Sequence, residues 1–147
     1  MKPVFTIFIS EPNFFRRQWL KKVIRKFVSD FDKKLSMQMI VCKKLTDIKP
    51  RMALISTRNI YFLTTDLSKK EDLKELQKIK KKNSQGNIIL FIKDKSYLIE
   101  LFRHKIPILD YRELRCPRDE QLDMIKSSYY YILDQLGYVG NGKKTLL

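Results

Sequence analysis

The sequence predicts an α/β domain with a five-stranded parallel sheet and helices on both faces, in (βα)5 order. Three observations carry this. Short apolar runs recur along the chain at Val4–Ile9, Met37–Cys42, Ile60–Thr64, Asn87–Ile92 and Ile106–Tyr111, the pattern of strands buried on both faces. Between most of them lie segments with apolar residues at helical spacing and charged residues opposite. Strands alternating with helices are joined by right-handed crossovers, which makes neighbouring strands parallel.

The elements follow in order. After the first strand, Asn13 suits a helix N-cap. Phe15, Trp19, Leu20, Val23, Ile24, Phe27, Val28 and Phe31 then form a core-facing stripe, with Arg16, Arg17, Lys21, Lys22, Arg25 and Lys26 on the opposite face. The second strand is Met37–Cys42, and a short helix is expected to start near Pro50, where proline fits the first helical position. Ser68-Lys69-Lys70-Glu71 has capping-box spacing after the third strand, with Leu73, Leu76 and Ile79 as the buried face behind it. That helix closes in Lys80-Lys81-Lys82-Asn83, where cations suit the negative end of the dipole, and Gly86 follows. A short helix over Tyr97–Arg103 follows the fourth strand. Pro117 opens the last helix, with Asp119 and Glu120 in its first turn. Its buried face is Leu122, Ile125, Tyr129, Ile132 and Leu136, and Gly137 ends it. Tyr129, Tyr130 and Tyr131 are consecutive, so at least one must be exposed, which suits a contact surface. Residues 1–136 form one domain; 137–147 read as a polar tail, the start of a linker if an output domain follows.

Composition narrows the function. No run approaches 18 apolar residues, so no transmembrane helix is indicated. The opening apolar stretch is short, β-rich and followed by Glu11-Pro12-Asn13, which reads as a strand and not as a signal peptide. Cys42 and Cys116 lack metal-type spacing and read as reduced thiols of a cytoplasmic protein. The net charge of +15 permits binding to nucleic acid through counterion release. Yet 22 of the 31 basic residues are lysine, which gives a solvated surface more readily than bidentate base contacts.

Several catalytic classes lack their residues. His104 is the only histidine, so histidine metal clusters and triads have no partners, and it reads as a helix-end cation beside Arg103 and Lys105. Gly137 to Thr145 echoes a phosphate loop, but Lys144 stands where Ser or Thr must follow Lys143, and the stretch comes after a helix instead of a strand.

The third run, Asn59 to Leu67, is where chemistry would gather, because in open parallel sheets ligands collect at the carboxyl ends of central strands. The first strand ends in Ser10-Glu11-Pro12-Asn13 and the third in Thr64-Thr65-Asp66-Leu67. The fourth is Gly86 to Ile92, and the fifth leads into Leu109-Asp110-Tyr111-Arg112-Glu113-Leu114. In this series the chain resembles the receiver domain of two-component response regulators, over about residues 4 to 136. It looks most similar to the branch carrying LytTR DNA-binding domains, the accessory-gene-regulator type. The resemblance implies a flavodoxin-like receiver fold.

A working receiver takes a phosphoryl group onto an aspartate beside a Mg²⁺ ion held by acidic residues, with a hydroxyl and a lysine to hold the product. By resemblance the acidic pair falls on Glu11 and Pro12, the acceptor on Thr64, the hydroxyl on Ile92 and the lysine on Leu114. Tyr111 stands at the aromatic switch position. Only Glu11 and Tyr111 keep their chemical type. Proline offers no side-chain ligand, and Thr64 has neither a carboxylate nor a general base. The expectation is a degenerate pseudo-receiver: no enzyme, no cofactor, no metal, working by protein contact in two-component signalling and transcription regulation. Its partner would be another copy, a related regulator or a sensor kinase, engaged through the face within residues 96–136. The alternative is direct nucleic-acid binding by the basic surface or by an output domain beyond the chain. A minor alternative is an active receiver using Asp66 as displaced acceptor.

Overall fold

The computed structural model describes residues 5–31, 37–52 and 58–137. Strands β1 (Phe5–Ser10), β2 (Met37–Cys42), β3 (Asn59–Thr65), β4 (Asn87–Ile92) and β5 (Asp110–Glu113) form one sheet in the order β2-β1-β3-β4-β5. All pairs are parallel. The α-helices are α1 (Phe14–Phe31), α2 (Lys70–Lys82), α3 (Ile99–Arg103) and α4 (Arg118–Gln135). The α/β class, the parallel sheet and the helices on both faces are as the sequence predicts.

Strand alternation sorts the core into two layers. Phe8, Tyr61, Leu63, Ile88, Leu90 and Ile92 face one side, against Leu73, Leu76 and Ile79 of α2 and Leu101 of α3. Ile7, Ile9, Ile60, Phe62, Ile89 and Phe91 face the other, against Leu20, Ile24 and Val28 of α1 and five residues of α4, Met124 to Leu133. Both faces of β3 and β4 are therefore dry, which is why their sequences are unbroken apolar runs. Burying Ile88 to Ile92 alone removes five large side chains from water, on the order of 10 kcal/mol before chain entropy is charged against it.

Several local features differ from what the sequence predicts. The helix expected near Pro50 is two 3-10 turns, Leu45–Asp47 and Lys49–Arg51, and the described residues pause at Met52. Pro50 at the start of the second turn brings no N–H, and so short a segment cannot offset helix nucleation. The described residues thus hold four α-helices, where five were expected.

The capping box at Ser68 does not form. Lys69 is the N-cap, and the Ser68 hydroxyl donates to Asp66 Oδ1 at 2.6 Å. Asp72 accepts the Asp66 N–H at 2.7 Å instead, tying the first turn of α2 back to the end of β3.

The fifth strand lies at Asp110–Glu113 and not at 106–111. Pro107 lacks a donor, and the Ile106 N–H is consumed in closing α3 on Leu101 O at 2.8 Å. Phe15, expected in the core stripe, is 78% exposed. Arg17, expected on the solvent face, is buried, because its guanidinium donates to the carbonyls of Glu11 and Pro12 at 2.9 and 3.3 Å. In α4 the structure buries Met124 and Leu133 and leaves Leu122 and Leu136 only partly covered.

Other expectations hold. Asn13 Oδ1 accepts the Arg16 N–H at 2.9 Å, capping α1. Pro117 is the N-cap of α4, with Asp119 and Glu120 in its first turn. Tyr129 is buried and Tyr131 is 52% exposed. The echo of a phosphate loop lies outside the described residues beyond Gly137, as does the expected tail. Among the described residues no helix is long and apolar enough to cross a membrane.

Candidate functional site

The carboxyl ends of β1, β3 and β4 meet beside the first turn of α1. Glu11 follows β1 directly, continuing its ladder through an N–H donated to Cys42 O at 3.1 Å. It is only 2% exposed, yet its carboxylate is fully engaged. Oε1 accepts from Thr64 Oγ1 at 2.6 Å and from Arg16 Nε at 2.7 Å, and Oε2 accepts the Asn13 N–H at 2.9 Å. Three donors on one carboxylate, one of them a cation, offset the cost of burying it.

Arg16, like Arg17, turns inward and not to the solvent face that the helical spacing predicts. Its guanidinium carbon stands 4.6 Å from the centre of the Phe91 ring and 5.5 Å from that of Trp19. Arg118, at the start of α4, lies over Trp19 at 4.7 Å. Burial lowers the Arg16 pKa from its ordinary value while Glu11 pulls the other way. A signal was present in the sequence: α1 carries no acidic residue in its first turn, and an arginine pair stands there against the helix dipole. Such a placement needs a carboxylate nearby to explain it.

The remaining expected residues fall around this pair unevenly. Thr64 and Glu11 are in contact, and Pro12 is exposed next to them, with its carbonyl held by Arg17. Thr64 pairs with Phe91 of β4, and Thr65 with Ile92. Ile92 is fully buried in the layer on the other side of the sheet. Leu114 donates its N–H to Ile92 O at 2.8 Å, and its side chain packs on the α1–α4 layer. Tyr111 is half-buried against the opposite layer. Asp66 sits past the strand end, its Oδ2 3.8 Å from Lys93 Nζ. The Ser68 hydroxyl first, then the nearby Lys93 and Lys69, hold its carboxyl below the usual range. Ser10 Oγ, Thr65 Oγ1 and Arg16 Nη2 are buried there without a hydrogen-bond partner among the described residues.

No family model and no curated protein sequence matches the chain. Solved structures do. A response regulator from Colwellia psychrerythraea superposes with a TM-score of 0.63 at 8% identity, covering 85% of this chain and 96% of that one. A response regulator from Thermotoga maritima gives 0.57 at 14% identity, covering 91% and 99%. The pilus assembly protein CpaE from Caulobacter crescentus gives 0.57 at 14% identity, covering 86% and 94%. The chain has the receiver fold.

Receivers use a divalent cation at this end of the sheet, and the residues here do not fit one. Both Glu11 oxygens are taken, Pro12 supplies no side-chain ligand, and the Arg16 guanidinium already stands against the carboxylate. Among the described residues no three His, Cys, Asp or Glu side chains gather in one place. Chemically, the arrangement holds a charge pair and a hydroxyl in fixed positions. It presents no carboxylate at Thr64 for phosphoryl transfer.

Proposed function

We propose that residues 1–136 form a pseudo-receiver that acts by protein contact in two-component signalling and transcription regulation, without phosphorylation, catalysis or a cofactor. One observation carries the reading. Arg16, a cation built into the chain, stands on the single retained acidic residue, Glu11, and Thr64 in the acceptor position hydrogen-bonds to the same oxygen. In a responsive receiver the phosphoryl group and its cation shift an equilibrium between two conformations. Here a permanent intramolecular ion pair stands where that input would act, so the domain holds one conformation.

The contact surface we favour lies within residues 96–136. There Leu98, Leu101, Phe102, Ile106, Ile108 and Tyr111 line an open hollow of about 790 Å³. Phe102 is 76% exposed beside it. Apolar exposure on this scale suits a protein partner: another copy, a related regulator of the LytTR type, or a sensor kinase. The fold is shared with proteins named for pilus assembly as well as with response regulators, so the partner need not belong to a phosphorelay.

The test is intact mass measured after incubation with acetyl phosphate and Mg²⁺, with sedimentation before and after beryllofluoride. The expected result is no added mass and no change in sedimentation. A phosphoryl-sized gain that disappears in Asp66→Asn would replace this reading with the displaced-acceptor one.

A further inference from the structure

A groove of about 500 Å³ runs along α2 to the turn after α3, lined by Lys74, Gln77, Lys78, Lys80, Lys81 and Lys105. The Gln77 amide donates to His104 O at 3.1 Å and ties the two walls together. Lys78 pairs with Glu75 at 3.2 Å, and Lys80 Nζ donates to Gly86 O at 2.6 Å. Lys74, Lys81 and Lys105 are exposed, with no carboxylate at ion-pair distance among the described residues.

Lys105 is the telling residue. Helix α3 closes with the Lys105 N–H on Phe102 O at 3.2 Å and the Ile106 N–H on Leu101 O at 2.8 Å. That closure places Lys105 at φ 56°, in the left-handed region that glycine occupies at low cost. A lysine there sacrifices stability and adds one more cation to the groove.

We propose that this groove binds the phosphate backbone of double-stranded nucleic acid without reading its sequence. Lysines 74, 78 and 81 follow one another about 5–6 Å apart along α2, a row of point charges suited to a polymer of regularly repeated anions. Among the described residues no aromatic side chain lines the groove, so it offers no stacking platform for single strands. It also offers no apolar anchor for an acidic peptide to bury. Among the described residues no arginine lines it, which leaves base edges unread. The overall charge of +15 draws a polyanion from a distance, and the groove decides where it lands. This inference does not depend on the pseudo-receiver reading.

The experiment is fluorescence anisotropy of a labelled duplex with the full chain at about 50 and 200 mM salt. Two triple variants are compared: Lys74→Gln/Lys81→Gln/Lys105→Gln in the groove, and Lys22→Gln/Arg25→Gln/Lys26→Gln on the exposed face of α1. Each removes three positive charges. The groove variant is expected to lose at least about tenfold in affinity and about 2–3 units of salt slope, with a far smaller loss in the α1 variant. Lys105→Gly separates binding from folding, since it should raise the protein's thermal midpoint while weakening its binding to the duplex. Equal losses in both triple variants, unchanged affinity in Lys105→Gly, or no duplex binding at the lower salt would each overturn the proposal. So would labelled polyglutamate binding more tightly than the duplex, which would mark the groove as a site for an acidic protein.

Discussion

Thr64 and Glu11 lie fifty-three residues apart in the chain and 2.6 Å apart in space, and the carboxylate oxygen they share also accepts from Arg16. The hydroxyl and the guanidinium, both partly covered, close over the buried carboxylate to form one unit at the end of the sheet.

Removing the cation from that unit should be costly. Arg16→Leu leaves the Glu11 carboxylate almost fully buried with no counter-charge, and about 3 kcal/mol of stability is expected to go with it. Glu11→Leu in the same background should recover much of the loss, because the stranded charge goes too. Urea denaturation of the two single variants and the double gives the coupling energy, and simple additivity would show that the pair is not a unit.

Thr64→Val tests the third member. It removes a donor to a charged acceptor at near-constant volume, and a loss of about 1–2 kcal/mol is expected. A neutral or stabilising outcome by the same urea assay would mean that the Glu11 carboxylate is satisfied by Asn13 and Arg16 alone.

Gly86→Ala probes the opposite end of the sheet. A Cβ there would overlap Asn83 Oδ1 and stand 2.7 Å from Tyr61 Cε1. The Asn83 oxygen is also the acceptor of the Tyr61 hydroxyl at 3.0 Å, so relieving the clash breaks a buried hydrogen bond. A loss of about 2–3 kcal/mol is expected from thermal denaturation.

Tyr61 also predicts alkaline behaviour. Burial pushes its phenol up to about 12, against a smaller opposing effect of the hydrogen bond from Asn59. The unfolded chain releases this proton near the ordinary value of 10, before the folded chain does. Above that pH the unfolded state binds fewer protons, so the contribution is intact below about pH 10 and declines as pH rises toward about 12. Tyr61→Phe should be less stable at neutral pH, having lost the hydroxyl's bonds, and should show a shallower alkaline decline in thermal midpoints between pH 9 and 11. Parallel declines in the two proteins would assign the alkaline loss to other groups.

Much of the fold is legible in the chain because its central strands are dry on both faces. Ile60 to Leu63 and Ile88 to Ile92 read as strands with no knowledge of their neighbours. The edges were harder. The 3-10 turns around Pro50 and the late start of β5 depend on which backbone donors survive next to Pro50, Pro107 and the end of α3, and hydrophobic spacing carries no record of donors.

By itself the sequence determined the layered α/β architecture, a threonine and not a carboxylate at position 64, and the excess of positive charge. Each of these is a property of residue type and local period. The tertiary structure alone decided that Arg16 turns inward to Glu11, that Phe15 turns outward, and that Lys105 joins the lysines of α2. Which way a residue in a helix's first turn faces depends on the strand ends it meets. The Glu11 carboxylate, buried at the carboxyl ends of the neighbouring parallel strands β1 and β3, leaves an electrostatic demand that the first turn of α1 meets with an arginine.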